Sequence, residues 1–228
     1  MKKLKAAISL FFLLPLFNTT NAQDWANLNR FKNENEKLGL PAAGEKRIVF
    51  MGNSITEFWS NIVPAYFSDN GYINRGISGQ TTPQMLVRFR ADVISLKPAV
   101  VIILAGTNDI AGNTGPSTLD MIADNIFSMA ELANANGIKV ILCSVLPVFD
   151  YPWKPGLEPA GKIIALNKMI KDYAGKKGLI YVEYHTAMKD DRNGMKAEYA
   201  KDGVHPNEAG YKVMIPLSEK AIKKALGK

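Results

Sequence analysis

Short apolar runs alternate with longer amphipathic stretches along most of this 228-residue chain, and this alternation restricts the possible folds more than any other feature. A strand covered on both faces reads as a continuous apolar run, and parallel neighbours need a crossover of a dozen or more residues, usually a helix. Strands are expected at Arg47–Met51, Tyr72–Asn74, Val100–Leu104, Lys139–Ser144 and Leu179–Val182. Helices are expected at Glu57–Ser68, Pro83–Leu96, Ser117–Asn136, Pro159–Lys177 and Asn207–Leu226, with Gly137 and Gly178 ending the third and fourth. The pattern predicts an α/β chain: a three-layer doubly wound, flavodoxin-like sandwich with a parallel sheet of about five strands.

The beginning of the chain has a different composition. Lys2, Lys3 and Lys5 precede an apolar run from Ala6 to Phe17, followed by polar residues and the small-residue site Thr20-Asn21-Ala22. This is the pattern of a secretory signal peptide over residues 1–22, cleaved after Ala22. A run of about a dozen apolar residues, interrupted by Pro15, falls short of the roughly 20 that span a bilayer. No cysteine near the cut could carry a lipid, so no stable membrane anchor is expected, and the protein is placed in the periplasm or the medium. Loss of the leader removes three of the seven excess positive charges, and the scattered remainder reads as a solvated surface with no nucleic-acid partner.

Residues 23–45 are expected to form an amphipathic helical extension, with Trp25, Leu28, Phe31 and Leu38 on one stripe, ahead of a single domain at 46–228. The extension could pack on that domain or on a second subunit, and the oligomeric state is left open. Cys143, the only cysteine, stands inside an apolar run and reads as a small buried hydrophobe. With one cysteine and two histidines, and no ligand pair at helical spacing, no metal is expected; Walker and dinucleotide glycine patterns are absent, so no cofactor is expected either.

In a doubly wound fold, ligands gather beyond the carboxyl ends of the strands. The loops there read Gly52-Asn53-Ser54-Ile55-Thr56, Arg75-Gly76-Ile77-Ser78-Gly79-Gln80-Thr81-Thr82 and Gly106-Thr107-Asn108-Asp109. Ser54, at a strand-to-helix turn, is a candidate nucleophile, although taken alone Ser54 or Thr56 reads first as a helix cap. Gly79 offers an unobstructed backbone N–H and Asn108 a side-chain amide; each could donate to an oxyanion, and each alone is a turn residue. Near the C-terminus, Asp202-Gly203-Val204-His205 places a carboxylate three residues before an imidazole, the group best suited to proton transfer at neutral pH.

In this order, the four segments resemble the blocks of the SGNH hydrolase superfamily, also called GDSL esterases and lipases, from about Arg47 to the C-terminus. The resemblance implies a carboxylic ester hydrolase in which Ser54 attacks the carbonyl, His205 transfers the proton and Asp202 orients the imidazole. It also implies an oxyanion hole made by the backbone N–H groups of Ser54 and Gly79 and the side chain of Asn108. The chain departs from the best-known form of the family's first block, which has Asp where Asn53 stands, and it has Gln80 where an acidic residue is frequent. An α/β-hydrolase shares the Ser, Asp, His order but expects a Gly-x-Ser-x-Gly elbow, whereas Thr56 occupies the last place here. A flavodoxin-like binding module would have no use for Asp202 and His205.

Substrate contacts are expected from Asn53, from Trp153 in the aromatic, proline-stiffened segment after the fourth strand, and from His185, for which a structural role is the alternative. Trp59 reads as core. An exported enzyme of this kind would meet acylated glycans, and no long apolar hairpin suited to a lipid lid is present. The expected substrate is therefore a small-molecule or glycan ester carrying acetyl or another short acyl group, with a lysophospholipase or broad acyl-ester hydrolase as the alternative.

Overall fold

In the computed structural model, which describes residues 24–228, five parallel strands form one sheet in the order β2-β1-β3-β4-β5. The strands are β1 (Ile48–Gly52), β2 (Ile73–Gly76), β3 (Val100–Leu104), β4 (Lys139–Cys143) and β5 (Ile180–Val182). The expected leader lies outside the described residues. Side chains alternate between the faces of a strand, so β1 sends Val49 and Met51 to one core and Ile48 and Phe50 to the other. Helices α4 (Thr82–Asp92), α6 (Leu119–Ala135) and α7 (Pro159–Lys177) cover the first face. The second face packs against α2 (Ser54–Ile62), α3 (Pro64–Ser68), α8 (Tyr184–Met188) and α9 (Glu208–Ala225). The sandwich thus has the three layers expected.

The differences from expectation have local causes. The helix expected over 57–68 starts earlier, at Ser54, and breaks at Val63, because the ring of Pro64 excludes the preceding residue from helical geometry; Val63 sits at φ −127°, ψ 64°. The second crossover helix likewise ends at Asp92, and its tail becomes the 3-10 turn Ile94–Leu96. Of the extension, only α1 (Lys32–Leu38) is helical, and none of its residues is buried. Upstream of it the chain turns instead: the Asp24 carboxylate accepts the Leu28 and Asn29 N–H groups at 2.8 and 3.0 Å, and Asn27 takes a left-handed φ of 56°. Phe31 is buried, whereas Trp25, Leu28 and Leu38 remain exposed, so the supposed stripe is not a packing face. The short α5 (Thr107–Ile110) and α8, each a single turn or little more, went unpredicted because one turn carries no periodicity.

The register sets where the loops leave the sheet. Gly52 pairs with Gly76 on one side and Leu104 on the other, so the loops after β1, β2 and β3 emerge level with one another. The strand order reverses between β1 and β3, at the switch point where doubly wound sheets open a crevice. Helix α2 starts directly over this edge, and its close approach depends on Gly76: a Cβ there would lie 2.2 Å from the Glu57 backbone nitrogen. Neither backbone can yield cheaply. Gly76→Ala is therefore expected to lower the unfolding free energy by at least about 1–3 kcal/mol, measured by urea denaturation, the range typical of overpacking.

Candidate active site

Ser54 is the first residue of α2, and Asn53 caps the helix by accepting the Ile55 N–H on its side-chain oxygen at 3.1 Å. The cap fixes the turn, so the capping role open to Ser54 falls to its neighbour. The Ser54 hydroxyl instead lies 2.9 Å from His205 Nε2. On the other side of the ring, His205 Nδ1 is 2.6 Å from Asp202 Oδ2. A carboxylate only accepts, so Nδ1 carries the proton and Nε2 presents its lone pair to the hydroxyl.

Asp202 is held by its own turn, with Oδ1 accepting the N–H groups of Val204 and His205 at 2.9 and 2.8 Å. Partial burial pushes its carboxyl up, but the hydrogen bonds from the His205 side chain and the two N–H groups outweigh that and hold it below the usual carboxylate range. It is therefore ionised at neutral pH. The imidazole is flanked by the rings of Phe58, at 5.3 Å between centroids, and Trp153, at 6.0 Å.

The helices carrying the hydroxyl and following the imidazole are joined directly. Tyr211 of α9 donates its hydroxyl to the Ile55 carbonyl at 2.8 Å, and its ring stacks on Trp59 of α2 at 5.3 Å. Trp59 also stacks on Tyr66 and is buried, as core. At the start of α9, Asn207 accepts the Gly210 N–H, and the chain before it is tied by the Asn207 N–H to the Tyr199 carbonyl at 2.7 Å.

Two further donors border the hydroxyl's loop. Gly79 adopts φ 77°, a left-handed conformation that disfavours side chains, and its N–H has no partner among the described residues. Asn108, on α5, gives one amide hydrogen to the Gln80 carbonyl at 2.9 Å, which fixes the amide and leaves its second hydrogen unassigned. The structure thus joins Ser54, His205, Asp202 and Trp153 in one set of contacts, with Gly79 and Asn108 on the neighbouring loops, from five separate segments. It places the other two expected contacts elsewhere. Asn53 is buried with its oxygen committed to the cap. His185 follows β5 at the far edge of the sheet, its Nε2 unpartnered among the described residues, and lines a separate cavity of about 340 Å³ with Lys168 and Lys189.

The GDSL-like Lipase/Acylhydrolase family matches residues 50–213. The chain belongs to this family. A GDSL-like lipase from Bacteroides thetaiotaomicron VPI-5482 is 50% identical, with 88% of this chain and 98% of the other covered, and superposes with a TM-score of 0.86. Esterase TesA of Pseudomonas aeruginosa is 27% identical over 73% of this chain and 79% of its own. An acetylxylan esterase of Xylanibacter ruminicola is 27% identical over 81% of this chain, which spans 45% of that longer relative. This GDSL-type protein is accordingly a carboxylic ester hydrolase.

Sequence reasoning gave no role to two residues that hold the family's blocks together. Arg88, fully buried on α4, donates to the Gly52 and Arg75 carbonyls, each at 2.9 Å, to the Gln80 side-chain oxygen and to Asp92. The available signal was an Arg-x-x-x-Asp pair on the same helix face as Met85 and Phe89. Asp109 accepts the Thr82 N–H at 2.9 Å and the Thr82 hydroxyl at 2.6 Å, joining the second block to the third.

Burial pushes the Asp109 carboxyl above its ordinary range, partly offset by the Thr82 hydrogen bonds. The folded protein thus holds this proton more tightly than the unfolded chain, and Asp109 subtracts stability as pH rises through the folded value. Asp109→Asn removes that titration. The stability of the variant relative to wild type should therefore improve between about pH 4 and pH 7, measured by urea denaturation at each pH; a difference that is constant or moves the other way would contradict this.

Proposed function

We propose that the protein is an exported serine esterase that removes acetyl or another short acyl group from a carbohydrate. The observation that carries the reading is the continuous hydrogen-bonded chain from Asp202 through His205 to the Ser54 hydroxyl, next to two free N–H donors. A serine hydroxyl is a weak nucleophile until a base takes its proton, and here the base is already in hydrogen-bond contact and already in the required tautomer.

In the proposed reaction, the Ser54 oxygen bonds to the ester carbonyl carbon as its proton passes to His205 Nε2. The carbonyl oxygen becomes an oxyanion, received by the backbone N–H groups of Ser54 and Gly79 and by the Asn108 amide. Asp202 stabilises the imidazolium that forms. The tetrahedral centre then collapses: the carbon–oxygen bond to the alcohol breaks, and His205 gives its proton to the departing alcohol oxygen. Water repeats the sequence on the acyl-serine, with His205 as base, releasing the carboxylic acid and restoring the serine.

The short acyl group and carbohydrate alcohol are supported by two features. A relative across most of this chain is named an acetylxylan esterase, and half-exposed Trp153 stands 6.0 Å from the imidazole, where an aromatic face can take a sugar ring or an acyl group. Export is supported by the basic and apolar leader ending at Ala22. Among the described residues, no helix is long and apolar enough to cross a membrane.

Turnover of p-nitrophenyl acetate tests the chemistry. Ser54→Ala should fall to background, and Asn108→Ala should lose on the order of 10²–10³ in kcat. Asp202→Asn should lose about 10⁴ with the fold intact, because the imidazole then takes the wrong tautomer. Acetate release from acetylated xylo-oligosaccharides, compared with fatty-acid release from lysophospholipid, tests the substrate; preference for the latter would overturn the carbohydrate reading. Mass spectrometry of the protein expressed in a bacterial host should find the mature chain beginning at Gln23 outside the cytoplasm.

A further inference from the structure

The segment ahead of the sheet is fastened to the loops of the site. Gln80 donates from its side chain to the Ala26 carbonyl, and Gln84 to the Trp25 carbonyl, each at 2.7 Å. Arg30 pairs with Glu57 at 3.7 Å, and Glu57 in turn accepts the Ser78 N–H at 2.7 Å. The turn itself is stapled by the Asp24 carboxylate. Trp25 therefore has a fixed backbone, yet the residue is 49% exposed.

A large aromatic side chain exposed to water on a fixed backbone gives up apolar burial while part of the ordering is already done, a condition in which an aromatic contact favours a ligand. Trp25 lines a cavity of about 330 Å³ together with Asn27, Ser78, Gly79, Gln84 and Asn113. That volume lies within the roughly 300–1,000 Å³ of ordinary ligand pockets. Gly79, the oxyanion donor proposed above, forms part of its wall, and a Cβ built there would meet nothing within 4 Å. Asn113 donates to the Gly79 carbonyl at 3.3 Å, which leaves its side-chain oxygen facing no recorded donor among the described residues.

We propose that this cavity is a saccharide subsite, in which Trp25 stacks on a neutral sugar ring of the ester's alcohol moiety. A sugar offers one apolar C–H face to an aromatic plane and hydroxyls to both donors and acceptors around its edge; indole, amide and hydroxyl side chains match that pattern. No lysine or arginine lines the cavity, and its one carboxylate, Asp24, is occupied in holding the turn. A phosphate headgroup or an acidic sugar would find no cationic partner there. The N-terminal segment is thus a specificity element, and Trp25 determines selectivity without touching the reacting atoms.

This inference rests on the carbohydrate-ester reading, and two substrates separate their failures. Trp25→Ala is expected to raise KM for acetylated xylo-oligosaccharides about ten-fold with kcat changed much less. The ratio of kcat/KM for the glycan ester to that for p-nitrophenyl acetate should fall by a similar factor, and Trp25→Phe should restore most of it. Titration of Ser54→Ala protein with the same oligosaccharide should quench tryptophan fluorescence, and Ser54→Ala/Trp25→Ala should bind at least ten-fold more weakly. Wild type that turns over p-nitrophenyl acetate but releases no acetate from the glycan overturns the carbohydrate reading and the subsite with it. Wild type active on both, with Trp25→Ala leaving the ratio and the titration unchanged, overturns the subsite alone.

Discussion

The site depends on one buried cation. Arg88 reaches from α4 into the space beneath the ends of β1 and β2 and donates to the carbonyls of Gly52 and Arg75 and to the side chain of Gln80. Gly52 is two residues before Ser54, and Gln80 directly follows Gly79 and receives the Asn108 amide through its carbonyl. One planar, five-donor fork thus sets the relative positions of the segments bearing the hydroxyl and both side donors. Burial pushes the Arg88 guanidinium down, and Asp92, 2.9 Å away, opposes that. A buried ion pair adds little net stability over apolar packing. What it contributes here is geometry: the Gly52 carbonyl also accepts the Ile77 N–H at 3.2 Å, and the guanidinium holds that carbonyl and the Arg75 carbonyl of the neighbouring strand together.

The alternating faces of the sheet explain why so few residues hold so many segments. Since β1, β2 and β3 end level, three loops leave the sheet within reach of one another, and single side-chain bonds suffice to join them. Asp109 joins the second loop to the third through Thr82. Tyr151 brings the Trp153 segment onto the third by bonding Thr107 at its hydroxyl and at its carbonyl, 2.9 and 2.8 Å. Tyr211 links the imidazole's side of the molecule to the helix that begins at Ser54. Charges and hydroxyls in these links are buried, so each bond is made in a medium where leaving it unmade would be expensive. The candidate site sits on loops, and these loops are joined to one another by side-chain bonds.

What the sequence discloses and what it hides follow the same division. The strand at Val100–Leu104 and the helix at Pro159–Lys177 are read to the residue, because each is a long uniform pattern with a sharp punctuating residue at its end. Ser54, Gly79 and Asn108 stand out because they lie in loops after apolar runs, where a doubly wound sheet places its ligands, and the Asp202-to-His205 pair because it sets a carboxylate three residues before one of only two histidines. Arg88 and Asp109 stay hidden: their roles are set by partners 36 and 27 residues away, and no local period reports such a bond. The extension was misread for the opposite reason. Its apolar spacing mimics a helix, while the Asp24 side chain competes successfully for the backbone N–H groups that a helix would need.

The turn that replaces a helix there sets where Trp25 stands. Had residues 23–45 formed one helix, Trp25 would have been packed on its stripe with Phe31; the turn instead buries Phe31 and leaves Trp25 at the rim. Trp153 reaches the opposite, imidazole side from a segment that no strand or helix requires. Both half-exposed tryptophans therefore come from segments outside the strands and helices, each fastened to the loops of the site by side-chain bonds. The hydrogen-bonded chain from Asp202 to Ser54 is confined by the register of β1 and the packing of α2 on α9, and can change little. The Asp202-to-Ser54 chain and the two exposed tryptophans are thus held by different contacts, the first by sheet register and helix packing, the second by side-chain bonds of the segments before β1 and after β4.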